Sequence, residues 1–102
     1  LKYIYLIQSI ETGYYKIGIS KNPNKRIETL QTGNSSPLKL IITYQSEFAS
    51  QIEKTLHRKY LPFKKTGEWF DLELFNELNF INDCKKIEQN LIFLKENKNV
   101  FI

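Results

Sequence analysis

The chain of 102 residues holds a single cysteine, Cys84, a single histidine, His57, and no methionine. One cysteine excludes an internal disulfide and a zinc site built on several thiolates; it fits a reducing compartment and leaves Cys84 as a small apolar helix residue. No apolar run is long enough to cross a bilayer, and the N-terminus lacks the charged, apolar and small-residue order of a signal peptide. These absences predict a soluble intracellular protein, cytoplasmic or nuclear, with no membrane partner. No internal repeat or low-complexity tract is present. With Leu1 first and no methionine, the chain is read as one part of a longer protein with further domains outside it.

What is present suffices for one domain: 41% of residues are hydrophobic and 14% aromatic, enough for a modest core. The formal charge of +4 leans toward an anionic partner. The basic residues are grouped, and Lys21, Lys25, Arg58, Lys64 and Lys65 are the candidate nucleic-acid contacts, set against the plainer reading of a solvated surface.

Tyr3-Ile4-Tyr5-Leu6-Ile7 and Tyr14-Tyr15-Lys16-Ile17-Gly18-Ile19-Ser20, separated by Glu11-Thr12-Gly13, predict a β-hairpin. Alternation puts Ile4, Leu6, Tyr15, Ile17 and Ile19 on a core face, and Tyr5, Lys16 and Gly18 on the opposite face, where a phosphodiester could be received. Asn22-Pro23 predicts the start of a short helix ending near Thr29 or Leu30, and residues 38–44 a third strand. The apolar spacing of Phe48, Ala49, Ile52, Leu56 and Tyr60 predicts the principal core helix over 47–60, with Ser46 as its cap. Glu68-Trp69-Phe70-Asp71-Leu72 reads as a short extended segment on the core, Asp71 as a cap, and 73–102 as one helix or two, with a break near Asn82-Asp83. Lys95 to Asn99 is expected to fray and Val100-Phe101-Ile102 to dock back on the fold. The predicted class is α+β, a three-stranded antiparallel sheet flanked by helices, with a core over 1–72 and a C-terminal helical extension over 73–102 packed on it.

The triplets Tyr3-Ile4-Tyr5 and Lys16-Ile17-Gly18, in the order strand, turn, strand, helix, strand, helix, resemble the GIY-YIG endonucleases. Four ordered blocks, running from Lys16-Ile17-Gly18 through Leu30-Gln31-Thr32-Gly33-Asn34 and Glu53 with Leu56-His57 to Gly67-Glu68-Trp69-Phe70, resemble a phage- and virus-associated branch of them. The resemblance implies that fold and a metal-dependent endonuclease acting on DNA, with RNA as the other candidate substrate. It implies Glu53 as the ligand of Mg²⁺ or Mn²⁺ and Arg26 as the phosphate-binding arginine. Lys16 and Tyr3 depart from the family's tyrosine and glycine, and the family's histidine after the helical arginine has no counterpart. The rival reading is a nucleic-acid-binding or protein-interaction module that kept the fold and lost the chemistry.

The candidate catalytic residues are therefore Tyr5, Lys16, Arg26, Glu53 and His57. Arg26 would pair its planar guanidinium with two phosphate oxygens. Tyr5 could take a proton only as phenolate, so its pKa of about 10 would have to fall, and Lys16 on the neighbouring strand is the expected cause, with a Mg²⁺ ion on Glu53 as a second source. His57, one turn after Glu53, is read either as an ion-pair partner or as the missing acid-base group.

Overall fold

The computed structural model describes residues 1–97, so the expectations for Lys98, Asn99 and Val100-Phe101-Ile102 lie outside the described residues. The elements are β1 (Lys2–Ser9), β2 (Tyr15–Ser20), α1 (Pro23–Thr32), β3 (Leu38–Ser46), α2 (Ala49–Lys59), a 3₁₀ turn (Leu61–Phe63), β4 (Trp69–Phe70), α3 (Leu74–Leu78) and α4 (Phe80–Glu96).

The sheet is antiparallel with strand order β3-β1-β2-β4, four strands rather than the three expected. The added strand is Trp69–Phe70, which pairs with β2 through Tyr15↔Phe70 and Lys16↔Trp69. Two residues carry no alternation for a sequence to display, and their pairing is a long-range event. Between β1 and β3 the register shifts at Leu6/Ile7, a bulge that lets both strands keep their apolar side chains inward.

Hairpin alternation divides the sheet as predicted. Leu6↔Ile17 and Ile4↔Ile19 share one face, and Tyr5↔Gly18 and Ile7↔Lys16 the other. Ile4, Leu6 and Ile17 are buried with Ile52 and Leu56 of α2 and with Phe80 and Cys84 of α4. Each such aliphatic side chain contributes roughly 1.5–3 kcal/mol by leaving water. The other face is closed too, because α1 lies over β3 and touches β1 and β2, leaving Tyr5 and Ile7 buried.

Asn22 caps α1, its Oδ1 accepting the Lys25 N–H at 3.2 Å, with Pro23 in the first turn. The helix runs two residues past Leu30, to Thr32. From its last turn the Gln31 side chain holds the following loop, donating to the Asn34 and Ser36 carbonyls and accepting the Leu38 N–H. The start of α2 is later than expected: Phe48 is its N-cap, and Ser46 Oγ accepts the Phe48 N–H in the turn before it.

The C-terminal region forms two helices, and the break falls at Asn79, not at Asn82-Asp83. Glu73, not Asp71, caps α3, in a reciprocal box with Asn76. Leu74 and Leu78 are exposed, because the short α3 stands off the core that α4 covers. Polar ties hold α4 in place: Tyr60 donates to Asp83 at 2.6 Å, and Tyr44 and Ser46 of β3 both donate to Glu88. Lys95 and Glu96 complete the last turn of α4, where fraying had been expected.

Candidate functional site

Because β4 pairs only with Tyr15 and Lys16, among the described residues the outer edge of β2 beyond Lys16 carries no strand. The Ile17 carbonyl on that edge lies 2.9 Å from His57 Nε2 of α2. A carbonyl can only accept, so Nε2 carries a proton, and Nδ1 is the ring nitrogen left to exchange one. The ring is also held edge-on against Phe70, with centroids 5.1 Å apart and planes at 81°. His57 is thus fixed in tautomer and orientation by two elements far from it in sequence.

Glu53 precedes His57 by one turn on α2 and is half-buried. Burial raises its carboxyl above the usual range; His57 opposes that shift, Glu68 adds to it, and Lys54 and Lys16 lower it. Two carboxylates and an imidazole therefore act on one another at the open edge of β2.

Glu68 arrives there by a local turn. Gly67 has φ +59, a left-handed conformation that suits glycine, and the Trp69 N–H closes the turn on the Thr66 carbonyl at 3.1 Å. The reversal sets Glu68 against Lys16, with Nζ and Oε2 3.2 Å apart, and lays Trp69 beneath the same ammonium, 5.5 Å from the ring centre. The sequence places Glu68 in a short extended segment without naming its partner. The pairing Lys16↔Trp69 settles its partner.

The expected coupling of Lys16 to Tyr5 is not what the structure holds. Tyr5 pairs with Gly18, two residues or about 7 Å along β2 from Lys16, and the Lys16 ammonium faces Glu68. The cation beside the Tyr5 hydroxyl is the Arg26 guanidinium of α1. Burial dominates: it raises the Tyr5 pKa, Arg26 only partly opposes it, and Glu68 and Glu53 push it further up. Tyr5 is therefore a phenol at neutral pH and not the phenolate base that the sequence reading required.

Tyr5, Lys16, Arg26, Glu53 and His57 thus gather with Glu68 around one edge and face of β2. Of the candidate nucleic-acid contacts, Lys21 and Lys25 join Arg26 around an open hollow of about 290 Å³ that also includes Ser20, Asn22 and Thr29. Arg58 is exposed and turns back to Thr55 of its own helix. Lys64 is exposed, and Lys65 lies with Nζ 5.7 Å from the Tyr14 ring centre, on the turn side of Lys16.

Among the described residues no three His, Cys, Asp or Glu side chains stand together as a ready-made metal cage. The donors here are the desolvated Glu53 carboxylate and its neighbour Glu68. Such a hard-oxygen pair suits Mg²⁺, which keeps several waters and takes one or two carboxylates together with substrate phosphates.

The family model of the T5orf172 domain matches residues 2–89, and the chain belongs to that family. A putative KilA-N domain-containing protein, 315L of Invertebrate iridescent virus 6, is 31% identical over 75 residues, which are 69% of this chain and 32% of that protein. The chain thus spans about a third of the length of that viral relative. No solved structure matches the chain. These findings correct the assignment to the GIY-YIG endonucleases, whose family gives no match, while the viral association stands in the relative. The triplets misled because Tyr-Ile-Tyr and Lys-Ile-Gly are what any β-hairpin with an apolar inner face and one close backbone approach can carry. Among the described residues, no helix is long and apolar enough to cross a membrane.

Proposed function

We propose that this chain hydrolyses phosphodiester bonds in DNA, at the open edge of β2. One observation carries the reading: side chains from β1, β2, α1, α2 and the turn before β4 converge there, bringing a fixed imidazole, a protonated phenol, a guanidinium and a desolvated carboxylate together. Folding stability has no use for a half-buried carboxylate with a raised pKa, and such groups cluster where chemistry is done.

In this reading Arg26, with Lys21 and Lys25 beside it, holds the phosphate and stabilises the charge that grows on its oxygens. His57 Nδ1 takes the proton of the attacking water while Nε2 stays bonded to the Ile17 carbonyl. Water oxygen bonds to phosphorus as the bond to the leaving oxygen breaks, and that oxygen takes its proton from solvent. Tyr5, kept protonated by burial, donates to the phosphate. Glu53, with Glu68 near it, would hold Mg²⁺ or Mn²⁺, which when bound would polarise the phosphate and offset its charge.

A second reading, a DNA-binding module without hydrolysis, is favoured by the lack of a three-ligand metal cage among the described residues. Nicking of supercoiled plasmid in Mg²⁺, in Mn²⁺ and in EDTA separates the two. Cutting that depends on the metal supports hydrolysis; retarded DNA with no cutting in any of the three supports the module.

A further inference from the structure

On the turn side of Lys16, on the sheet face that Lys16 occupies, an open cavity of about 290 Å³ lies between the hairpin turn, the loop after α1 and the turn before β4. Two aromatic rings line it, Tyr14 and Trp69, neither fully buried. Each ring carries a lysine ammonium: Lys65 over Tyr14 at 5.7 Å and Lys16 over Trp69 at 5.5 Å. The rest of the lining is small and polar, with Ser9, Thr12, Asn34, Ser36 and Thr66 contributing hydroxyls and an amide. Asn34 Oδ1 is taken by the Ser36 N–H at 3.0 Å, and among the described residues nothing bonds its Nδ2, which keeps two donors to offer.

Aromatic faces, neighbouring cations and a few amide and hydroxyl groups are what an unpaired nucleobase with its phosphate requires. The volume lies at the foot of the roughly 300–1,000 Å³ range of small-molecule sites, which suits one base and is small for a larger cofactor. An apolar peptide side chain would use the two rings but leave the five polar lining residues and the two neighbouring ammonium groups without a partner. We infer that this cavity is a subsite for a single unstacked base of DNA, joined to the candidate site through Lys16, which lies over Trp69 and pairs with Glu68, so that the chain engages a single-stranded, flapped or locally opened strand. The inference rests on the proposed action on DNA and adds to it the form of the substrate.

Trp69 is the one tryptophan of the chain, so its fluorescence reports the cavity directly. Titration of the protein with hexathymidylate in EDTA should quench that emission to saturation. An abasic strand of the same length and charge should bind about 5- to 150-fold more weakly, the equivalent of one stacked base, and leave the emission unchanged. Tyr14→Leu keeps the reporter and should lose affinity for hexathymidylate but not for the abasic strand. Circular dichroism matching the parent shows that its fold is intact. Equal affinity for the two strands, or equal quenching by a fully paired blunt duplex, would overturn the inference. The two proposals fail separately: quenching by hexathymidylate without any nicking ends the hydrolytic reading and keeps the base site, whereas nicking without quenching does the reverse.

Discussion

The ring of Tyr5 packs against the bare Cα of Gly18, its partner across the hairpin: a Cβ built on Gly18 would sit 2.5 Å from Tyr5 Cζ and 3.0 Å from Cε1. The glycine is needed for space, since backbone on one side and α1 on the other leave the tyrosine nowhere to move. Gly18→Ala is expected to cost about 1–3 kcal/mol in urea unfolding, the ordinary range for overpacking a filled core, and to displace the Tyr5 hydroxyl from Arg26. An alanine variant as stable as the parent would show that the ring has room to yield.

Glu53→Gln should separate activity from stability. The carboxylate is destabilised where it stands, since burial raises its pKa and the cost is felt once pH rises above the unfolded value of about 4.3. An isosteric amide removes that cost, so at pH 7 without metal the variant should melt at or above the parent temperature while losing Mg²⁺-dependent nicking and keeping DNA binding. Unchanged nicking would remove Glu53 from the metal site.

Arg26→Lys keeps the charge beside Tyr5 and loses the planar fork. Nicking should slow by one to two orders of magnitude, about the loss of one charge-stabilising contact in a phosphoryl transfer, with little change in DNA retention. A rate equal to the parent would return Arg26 to the solvated surface with Lys21 and Lys25.

Lys16→Gln tests the geometry that replaced the expected Lys16–Tyr5 coupling. The ammonium is paired with Glu68 and not with the phenol, so the falling limb of the pH–rate profile, where Tyr5 would lose its proton, should stay where it is. Stability should change by no more than about 1 kcal/mol, because Glu68 is half exposed and such pairs are weak. A falling limb moved to higher pH would restore Lys16 as the group that tunes Tyr5.

Alkaline pH should destabilise the fold ahead of general denaturation. Burial pushes the Cys84 thiol up to about 12, and Tyr15 and Tyr44, bonded to Glu77 and Glu88, also to about 12. Unfolded, the thiol ionises near about pH 8.5 and the phenols near about 10. Above those values the unfolded chain sheds protons that the folded chain retains, so the stability present below about pH 8.5 declines as pH climbs toward about 12. The urea midpoint should fall between about pH 8 and 10, and Cys84→Val should flatten the first part of that fall. A midpoint independent of pH would mean that Cys84 is reached by water.

Tyr5, Arg26, Glu53 and His57 were all legible as candidates, and Asn22 and Pro23 announced α1 because capping chemistry is local. Roles depending on a partner in another element were not legible. Nothing in the run Lys16-Ile17-Gly18 says that the Ile17 carbonyl would select the His57 tautomer, or that Lys16 would face Glu68 and leave Tyr5 to Arg26. Trp69 read as core for the same reason: its neighbour Phe70 is core, and only pairing with Lys16 turns the tryptophan to the other face.

Local patterning dictated the hairpin, its two faces, the core helix α2 and the supply of basic, acidic and phenolic groups, since alternation, helical spacing and caps act within a few residues. Packing between distant elements dictated that β4 stops at Lys16 and leaves an edge, that Glu53 and Glu68 meet there, and that Tyr5 is buried deeply enough to hold its proton. Desolvation and charge pairing depend on which surfaces close over one another, and no stretch of a single strand or helix carries that information.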